Sequence, residues 1–278
     1  MTVVVTQMPH MSSSVGAKPT GPILPDVLGS EWTKLRTVRS TYWTLLAAAV
    51  AMIGLSVIVC SVYVAQYASL SVKDKATFDP ITSSLAGGFL AQLAIAVLGV
   101  LVITSEYGSG MIRATFAAVP QRLTVLAAKA SVFAGVTFVV STVACFVAFF
   151  AGQAILSSKG IGVGLGAPGA LRIVVGSGLY LAVLGLLALG LGTIIRRTAG
   201  AIASVFGLIF VLPSLALLLP SSMDAIQKYL PSNAGQALIG GGSRGTNDLS
   251  PWIGFGVFCL YAVAALVIAG ATLRRRDA

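Results

Sequence analysis

Long apolar stretches alternate with short polar segments over most of the sequence. Six stretches reach the roughly 20 mostly apolar residues that a membrane-spanning helix needs. They are Tyr42–Ala65, Ser83–Thr104, Val125–Leu156, Leu171–Ile195, Ala199–Leu219 and Trp252–Leu273. The stretches are continuously apolar and do not alternate as barrel strands do, and an α-helix satisfies all its backbone N–H and C=O groups within one segment. The pattern therefore predicts an all-α membrane protein with six transmembrane helices, of which the third is longer than a bilayer requires.

Composition supports a lipid-embedded chain. Of its 278 residues, 56% are hydrophobic and 9% are charged, whereas a soluble domain has about 25% charged residues. The net charge of +10 would suit nucleic acid, but the cations lie in short clusters that flank the apolar stretches. We therefore expect the lipid bilayer, and no nucleic acid, as a partner.

The distribution of Lys and Arg predicts the orientation in the membrane. If the N-terminus is inside, 12 of the 18 basic residues lie in the cytoplasm, and six lie outside: Lys73, Lys75, Lys159, Arg172, Lys228 and Arg244. Basic residues concentrate on the cytoplasmic side of membrane proteins. We therefore expect both termini in the cytoplasm, with residues 1–25 as a disordered cytoplasmic tail.

The segment Asp26–Tyr42 has the pattern of an interfacial helix that Asp26 could cap. Apolar and aromatic side chains recur at helical spacing, at Leu28, Trp32, Leu35, Val38 and Tyr42, beside the cations Lys34, Arg36 and Arg39. Such a helix lies in the headgroup plane of an anionic membrane leaflet. The alternative is a generic basic flank that only fixes orientation.

A second candidate segment, SEYGSGMIRATFAAVPQR, occupies residues 105–122. Gly108 and Gly110 allow a turn, and a helix over Met111–Val119 would end at Pro120. Ile112, Phe116 and Val119 would share one face of that helix, which suits docking into a groove on a soluble partner. Glu106 could pair with Arg113 or with an Arg of the partner, or it could be a solvated carboxylate at a helix end.

Two later regions have less specific patterns. Pro213 is expected to kink the fifth transmembrane helix, and the spacing of Ala199, Ala203 and Gly207 would allow close helix packing, unless it only reflects composition. Residues 220–251 contain two short helical stretches, Asp224–Leu230 and Ala234–Ile239. This segment could re-enter the membrane, cap the outer side or form a plain surface loop.

Several signals of enzymatic chemistry are missing from the sequence. There is no G-x-x-x-x-G-K-[ST] phosphate loop, and the three cysteines, Cys60, Cys145 and Cys259, follow no metal or redox spacing. We find no charged residue deep in a spanning stretch, where ion-coupled transporters usually carry one; Gln92 is the strongly polar residue well inside. We therefore expect no enzyme activity and no cofactor in this chain.

Five segments together resemble the ABC-2 type permeases, the membrane subunits of bacterial ATP-binding-cassette exporters, especially those of high-GC Gram-positive bacteria. They are SEWTKLRTVRSTYWTLL at 30–46, ITSEYGSGMIRATFAAVPQR at 103–122, YLPSNAGQAL at 229–238, LSPWIGF at 249–255 and the terminal LRRRDA. The resemblance covers nearly the whole chain after residue 25. It implies one transmembrane domain over residues 26–278 in a bacterial cytoplasmic membrane.

The resemblance also implies roles for particular residues. Glu31, Trp32, Lys34, Leu35, Arg36 and Arg39 would belong to the interfacial helix. A cytoplasmic coupling helix and a second contact would meet an ATPase subunit through Glu106, Tyr107, Gly108, Gly110, Met111, Ile112, Arg113, Phe116, Arg196 and Arg197. Two permease subunits, as a homodimer, would work with two ATPase subunits that bind ATP and Mg²⁺. Many relatives have a charged residue after the glutamate, whereas this chain has Tyr107, Gly108 and Ser109.

The expected function is therefore export of an amphiphilic or drug-like substrate by alternating access, driven by a separate ATPase. Three alternatives differ in class: a regulatory or immunity subunit that moves no cargo, an ion-coupled secondary transporter or channel, and an intramembrane enzyme. The sequence does not identify the substrate.

Overall fold

The computed structural model describes residues 24–216, 218, 227–240 and 249–275, and this part of the chain is helical without strands. The predicted tail lies outside the described residues, except for its last two positions, which begin the first helix. The helices are α1 Leu24–Thr37, α2 Arg39–Gln66, α3 Val72–Thr77, α4 Pro80–Ser83, α5 Gly88–Gly108, α6 Met111–Ala118, α7 Arg122–Ser157, α8 Ala170–Ile195, α9 Thr198–Ala216, α10 Pro231–Gln236 and α11 Pro251–Arg275.

Six of these helices, α2, α5, α7, α8, α9 and α11, are long and apolar enough to cross a membrane. The prediction of an all-α, multi-pass membrane protein is confirmed. The 36 residues of α7 extend over about 54 Å, well beyond the hydrocarbon thickness of about 30 Å. The start of α5 is five residues later than predicted, because Ser84–Gly87 form a turn against α2.

Helix α8 occupies the centre of the bundle. It packs on α5, α7 and α11. In its most apolar segment of 18 residues, 83% of the residues are buried, whereas the corresponding share in α9 is 22%. Gly99 of α5 lies so close to α8 that a Cβ atom there would come within 2.5 Å of the Gly185 carbonyl oxygen. This small-residue contact holds α5 and α8 together, while the outer faces of the other spanning helices remain apolar and exposed.

Helix α9 contains a wider, π-helical turn, Gly207–Val211, directly before Pro213. A proline lacks the N–H for an i−4 bond and clashes with the preceding turn, and such a turn relieves the conflict. This deviation lies where the sequence predicts a kink. The small residues Ala199 and Ala203 are exposed, so their stripe makes no close packing within this chain.

The short helix α10 is part of the bundle. Ala234 and Leu238 are fully buried, and a Cβ on Gly235 would press on the Tyr180 ring of α8. A plain surface loop is therefore wrong for residues 231–238. Residues 224–226 of the other predicted short helix lie outside the described residues.

Candidate functional site

The two candidate segments of the sequence meet at one end of the bundle, which we name the α1/α6 end. Helix α1 lies against α7, and α6 follows directly on α5. The C-terminal ends of α5 and α11, the start of α7 and the turn between α8 and α9 lie at the same end, because consecutive spanning helices run in opposite directions. The structure thus brings both predicted segments together.

Helix α1 differs in length from its prediction. It ends at Thr37 and not at Tyr42, because Val38 adopts an extended conformation before α2 begins. Asp26 lies within the first turn of α1 and is not its N-cap. The chain thus bends between α1 and the first spanning helix.

The buried face of α1 also differs from the predicted apolar stripe. Trp32, Val38 and Tyr42 of that stripe are 47%, 43% and 51% exposed, whereas Val27 and Glu31 are buried. An aromatic or apolar side chain at the membrane interface can face lipid, so it need not face the protein. The face of α1 that packs on the bundle is therefore centred on a carboxylate.

Glu31 belongs to a cluster of four charged side chains, which we name the ion cluster: Glu31, Glu106 and Lys129, which are buried, and Lys34, which is partly exposed. Lys129 of α7 donates to Glu31 Oε2 at 2.5 Å and to Glu106 Oε1 at 2.7 Å. Lys34 of α1 donates to Glu31 Oε1 at 2.6 Å and approaches Glu106 Oε1 at 3.5 Å. Lys34 also donates to Thr115 Oγ1 of α6 at 3.3 Å. The ion cluster therefore ties α1, α5, α6 and α7 together.

Charge balance makes this burial possible. Two carboxylates face two ammonium groups, and Glu31, Glu106 and Lys129 are each less than 5% exposed. Burial by itself lowers the pKa of Lys34, but its hydrogen bond to Glu31 and the charge of Glu106 outweigh burial and raise the pKa above its ordinary value. Lys34 thus stays charged at neutral pH, and its stabilising contribution is lost only as alkaline pH rises through that raised pKa.

The ion cluster corrects two expectations. Glu106 pairs with Lys129 and Lys34, so it is neither bound to Arg113 nor a solvated carboxylate. Lys129, one of the cations assigned to the cytoplasmic side, is not solvated: it lies about 10 Å from the start of α7 and is 3% exposed. One signal was available: a lysine within an apolar stretch requires an acidic partner.

Helix α6 forms where the sequence predicts it, over Met111–Ala118. Gly110 precedes it with φ +72°, a left-handed conformation that favours glycine. Ile112 is 3% exposed, and Phe116 packs against a small core of Val27, Val125 and Ala128. The predicted apolar face is present, and it packs on the protein itself.

The opposite face of α6 is exposed at Arg113, Ala114 and Ala117. It is the surface of α6 that a partner can reach. Of the predicted coupling residues, Glu106 and Ile112 are buried, while Met111 and Arg113 are exposed. The buried residues hold α6 in place, and the exposed ones are available for contact.

The second predicted contact lies beside the first. Arg196, at φ +60°, places its guanidinium 5.2 Å from the centre of the Tyr107 ring, which is a cation–π distance. Thr198 donates to Thr104 at 3.0 Å across the same junction. Arg197 is exposed. The α8–α9 turn is thus fixed to the end of α5, with one arginine directed outward.

Phe116→Ala tests whether this face of α6 is structural. We expect it to lower the free energy of unfolding by about 1–3 kcal/mol, less than the 3–5 kcal/mol of a fully buried phenylalanine, because the ring is half-buried. Arg113→Ala on the exposed face should change it by less than about 0.5 kcal/mol. Unfolding in mixed detergent micelles, followed by tryptophan fluorescence, measures both. Equal stability of the two variants would contradict the packing role.

A cavity of about 510 Å³ lies beside the ion cluster. Its lining includes the apolar residues Leu35, Leu98, Leu101 and Val102 and the hydroxyl-bearing residues Ser40, Thr41, Thr44 and Ser105. This combination suits an amphiphilic molecule. Among the described residues no group of three or more His, Cys, Asp or Glu side chains could hold a metal ion.

Comparison with known proteins adds no family assignment. No protein-family profile matches the chain, and no curated protein matches it significantly.

Proposed function

We propose that this chain is the membrane subunit of an ATP-driven exporter of the ABC-2 type, moved by a separate ATPase that docks at the α1/α6 end. The observation that carries the proposal is the attachment of α6. One face is locked to the bundle by Ile112 and the Lys34–Thr115 hydrogen bond, and the other is exposed. A push on α6 would therefore reach α1, α5 and α7 together.

The surface chemistry of the α1/α6 end fits a protein partner with acidic groups. Arg36, Arg113 and Arg197 are exposed there. Arginine forms planar, paired hydrogen bonds with carboxylates, which fix orientation as well as charge. This end would lie in the cytoplasm, where ATP is available, in agreement with the excess of Lys and Arg.

The mechanism in this proposal is alternating access. ATP and Mg²⁺ bind to two partner ATPase subunits, and their closure moves α6 of each permease subunit. The permease would work as a homodimer in a bacterial cytoplasmic membrane, and the exposed face of α9 with Ala199 and Ala203 offers a close-packing surface for a second copy. This chain performs no bond chemistry; it contributes two arrangements with different substrate affinity.

The buried Lys129 also favours a second candidate, an ion-coupled secondary transporter. Such proteins place ionisable groups on the ion path, commonly near the membrane midplane. Lys129 is seven residues from the start of α7, which places it about 10 Å along a helix of about 54 Å. The ion cluster is thus near one end of the bundle, a position that suits attachment of α6 better than a midplane proton path.

Site-specific photo-crosslinking tests the docking surface. A photoreactive residue at Arg113 or Ala117 in the native membrane should cross-link to a protein that contains a phosphate-binding loop, and the purified complex should hydrolyse ATP. The same photoreactive residue is placed at Ile112 as a buried control. It is also placed at Lys73, which is exposed on α3, as a control at the other end of the bundle. The proposal would be contradicted if the ATPase cross-linked to the photoreactive residue at Lys73. It would also be contradicted if the ATPase cross-linked to neither Arg113 nor Ala117.

Inverted membrane vesicles separate export from the alternatives. A fluorescent amphiphilic cation should accumulate in them when ATP is added, and substitution of the phosphate-loop lysine in the ATPase should abolish accumulation. An intact complex without transport of this dye or of related amphiphiles would favour a regulatory subunit. Accumulation driven by a proton gradient without the ATPase would favour the secondary transporter.

A further inference from the structure

A long apolar groove with cations at one end runs between α7 and α11. It has a volume of about 620 Å³. Its lining residues are Leu123, Leu126, Ala127 and Ala130 of α7 and Val263, Leu266, Val267, Gly270, Ala271, Arg274 and Arg275 of α11. None of these lining residues belongs to α6 or to the ion cluster, and the inference below does not rest on the exporter proposal.

The shape of the groove suits an extended hydrocarbon chain. The lining positions of α11 recur at intervals of three and four residues from Val263 to Arg274, a length of about 17 Å along the helix. Leu126 and Gly270 are buried in its floor, while Val263 and Val267 are more than half exposed. The groove is thus open to its surroundings along its side and closed below.

Among the described residues, no acidic side chain lines the groove beside its cations. Arg274 and Arg275 are exposed. Neighbouring Arg122 donates to the Leu273 carbonyl oxygen at 2.8 Å, so it already contacts the C-terminal end of α11. Two arginines therefore line one end of an apolar groove.

We propose that this groove binds one acidic phospholipid, with an acyl chain between α7 and α11 and its phosphate on Arg274 and Arg275. Guanidinium groups bind phosphate oxygens through paired, charge-assisted hydrogen bonds. Basic pockets between transmembrane helices on the cytoplasmic side bind anionic headgroups in the same way. The chemistry recognised is a phosphate that carries net negative charge and is joined to an apolar tail.

The test measures lipid retention by native mass spectrometry of the purified, full-length protein. The probe is dioleoyl phosphatidylglycerol in competition with dioleoyl phosphatidylcholine in mixed micelles. Since each basic residue near an anionic lipid contributes about fivefold in affinity, Arg274→Gln/Arg275→Gln should reduce the preference for phosphatidylglycerol by about 25-fold. Lys73→Gln/Lys159→Gln removes the same charge from exposed positions at the other end of the bundle and should preserve the preference. Equal losses in the two double variants would overturn the site in favour of diffuse charge attraction.

A second variant tests the groove without touching the arginines. Ala127→Trp places an indole in the channel and should reduce retention of both lipids at this site, whereas Val139→Trp, at an exposed position further along α7, should not. Thermal unfolding checks that both variants are folded. If Ala127→Trp instead converts a dimer to a monomer and leaves lipid retention unchanged, the groove binds a second copy and the proposal is wrong.

Free phosphate provides the last comparison. Sodium phosphate in large excess should leave the lipid in place, because the anion alone lacks the apolar contacts. The lipid assignment would be wrong if inorganic phosphate displaced phosphatidylglycerol and Ala127→Trp left lipid retention unchanged. The groove would then bind only the anion.

Discussion

Lys129→Met is expected to lower the free energy of unfolding by about 3–5 kcal/mol. Methionine preserves most of the side-chain volume, so the loss reports mainly the charge. Without the ammonium group, Glu31 and Glu106 share Lys34 as their cation, and one negative charge is left buried without compensation. Breaking a buried ion pair by removing one partner has this cost, because the remaining charge cannot regain its water. Tryptophan fluorescence during unfolding in mixed detergent micelles gives the value.

A charge-balanced variant distinguishes the ion cluster from general damage. In Glu106→Gln/Lys129→Met the remaining ion pair, Glu31 and Lys34, has no net charge, and its charged groups are 2.6 Å apart. We expect this double variant to be more stable than the sum of the two single losses predicts, by about 0.5–3 kcal/mol. Lys73→Met, at an exposed lysine, should have little effect. Additive losses in the double variant would show that the four charges do not act as one unit.

Gly87→Ala is expected to cost about 3 kcal/mol or more and to reduce the folded yield in the membrane. A Cβ atom at residue 87 would lie 1.8 Å from the carbonyl oxygen of Met52, and 2.6 Å from its Cα. Those atoms belong to the backbone of α2, which cannot rotate away as a side chain can, so α5 would have to shift. The Gly87 N–H, which donates to Ser56 Oγ at 3.0 Å, would move with it.

The adjacent glycine provides a matched control. A Cβ on Gly88 would meet the Met52 sulfur at 3.8 Å, an ordinary van der Waals contact. Gly88→Ala should therefore be neutral or stabilising by up to about 1 kcal/mol, because it reduces the entropy of the unfolded chain. The two variants are compared by unfolding in mixed micelles and by expression level. Similar behaviour of the pair would contradict the close approach of α2 and α5 at this point.

Helix α1 shows why sequence pattern was insufficient at the site. A hydrophobic stripe identifies the protein-facing side of a helix in water, where exposed apolar surface is unfavourable. Trp32 and Tyr42 of the predicted stripe are exposed, as apolar and aromatic residues can be where a helix borders lipid. The face that packs on the bundle carries Glu31, and its identity depends on where Lys129 lies.

The ion pairs of Glu106 also lay beyond what the sequence pattern could predict. Its partners are 72 and 23 residues away, at Lys34 and Lys129. No local rule selects them over Arg113, which is nearer along the chain. Only the rotation of α5 and α7 about their axes brings those charges together.

Length and continuous hydrophobicity are local properties, so the sequence alone predicts the number, type and approximate bounds of the spanning helices. It also predicts α6, because Gly110 and Pro120 limit that helix through backbone conformation. Which face of α1 and of α6 is buried, and which charges meet, is known only from the folded structure. These features depend on helix rotation and on contacts between distant segments, where the free energy of pairing buried charges outweighs the local hydrophobic pattern.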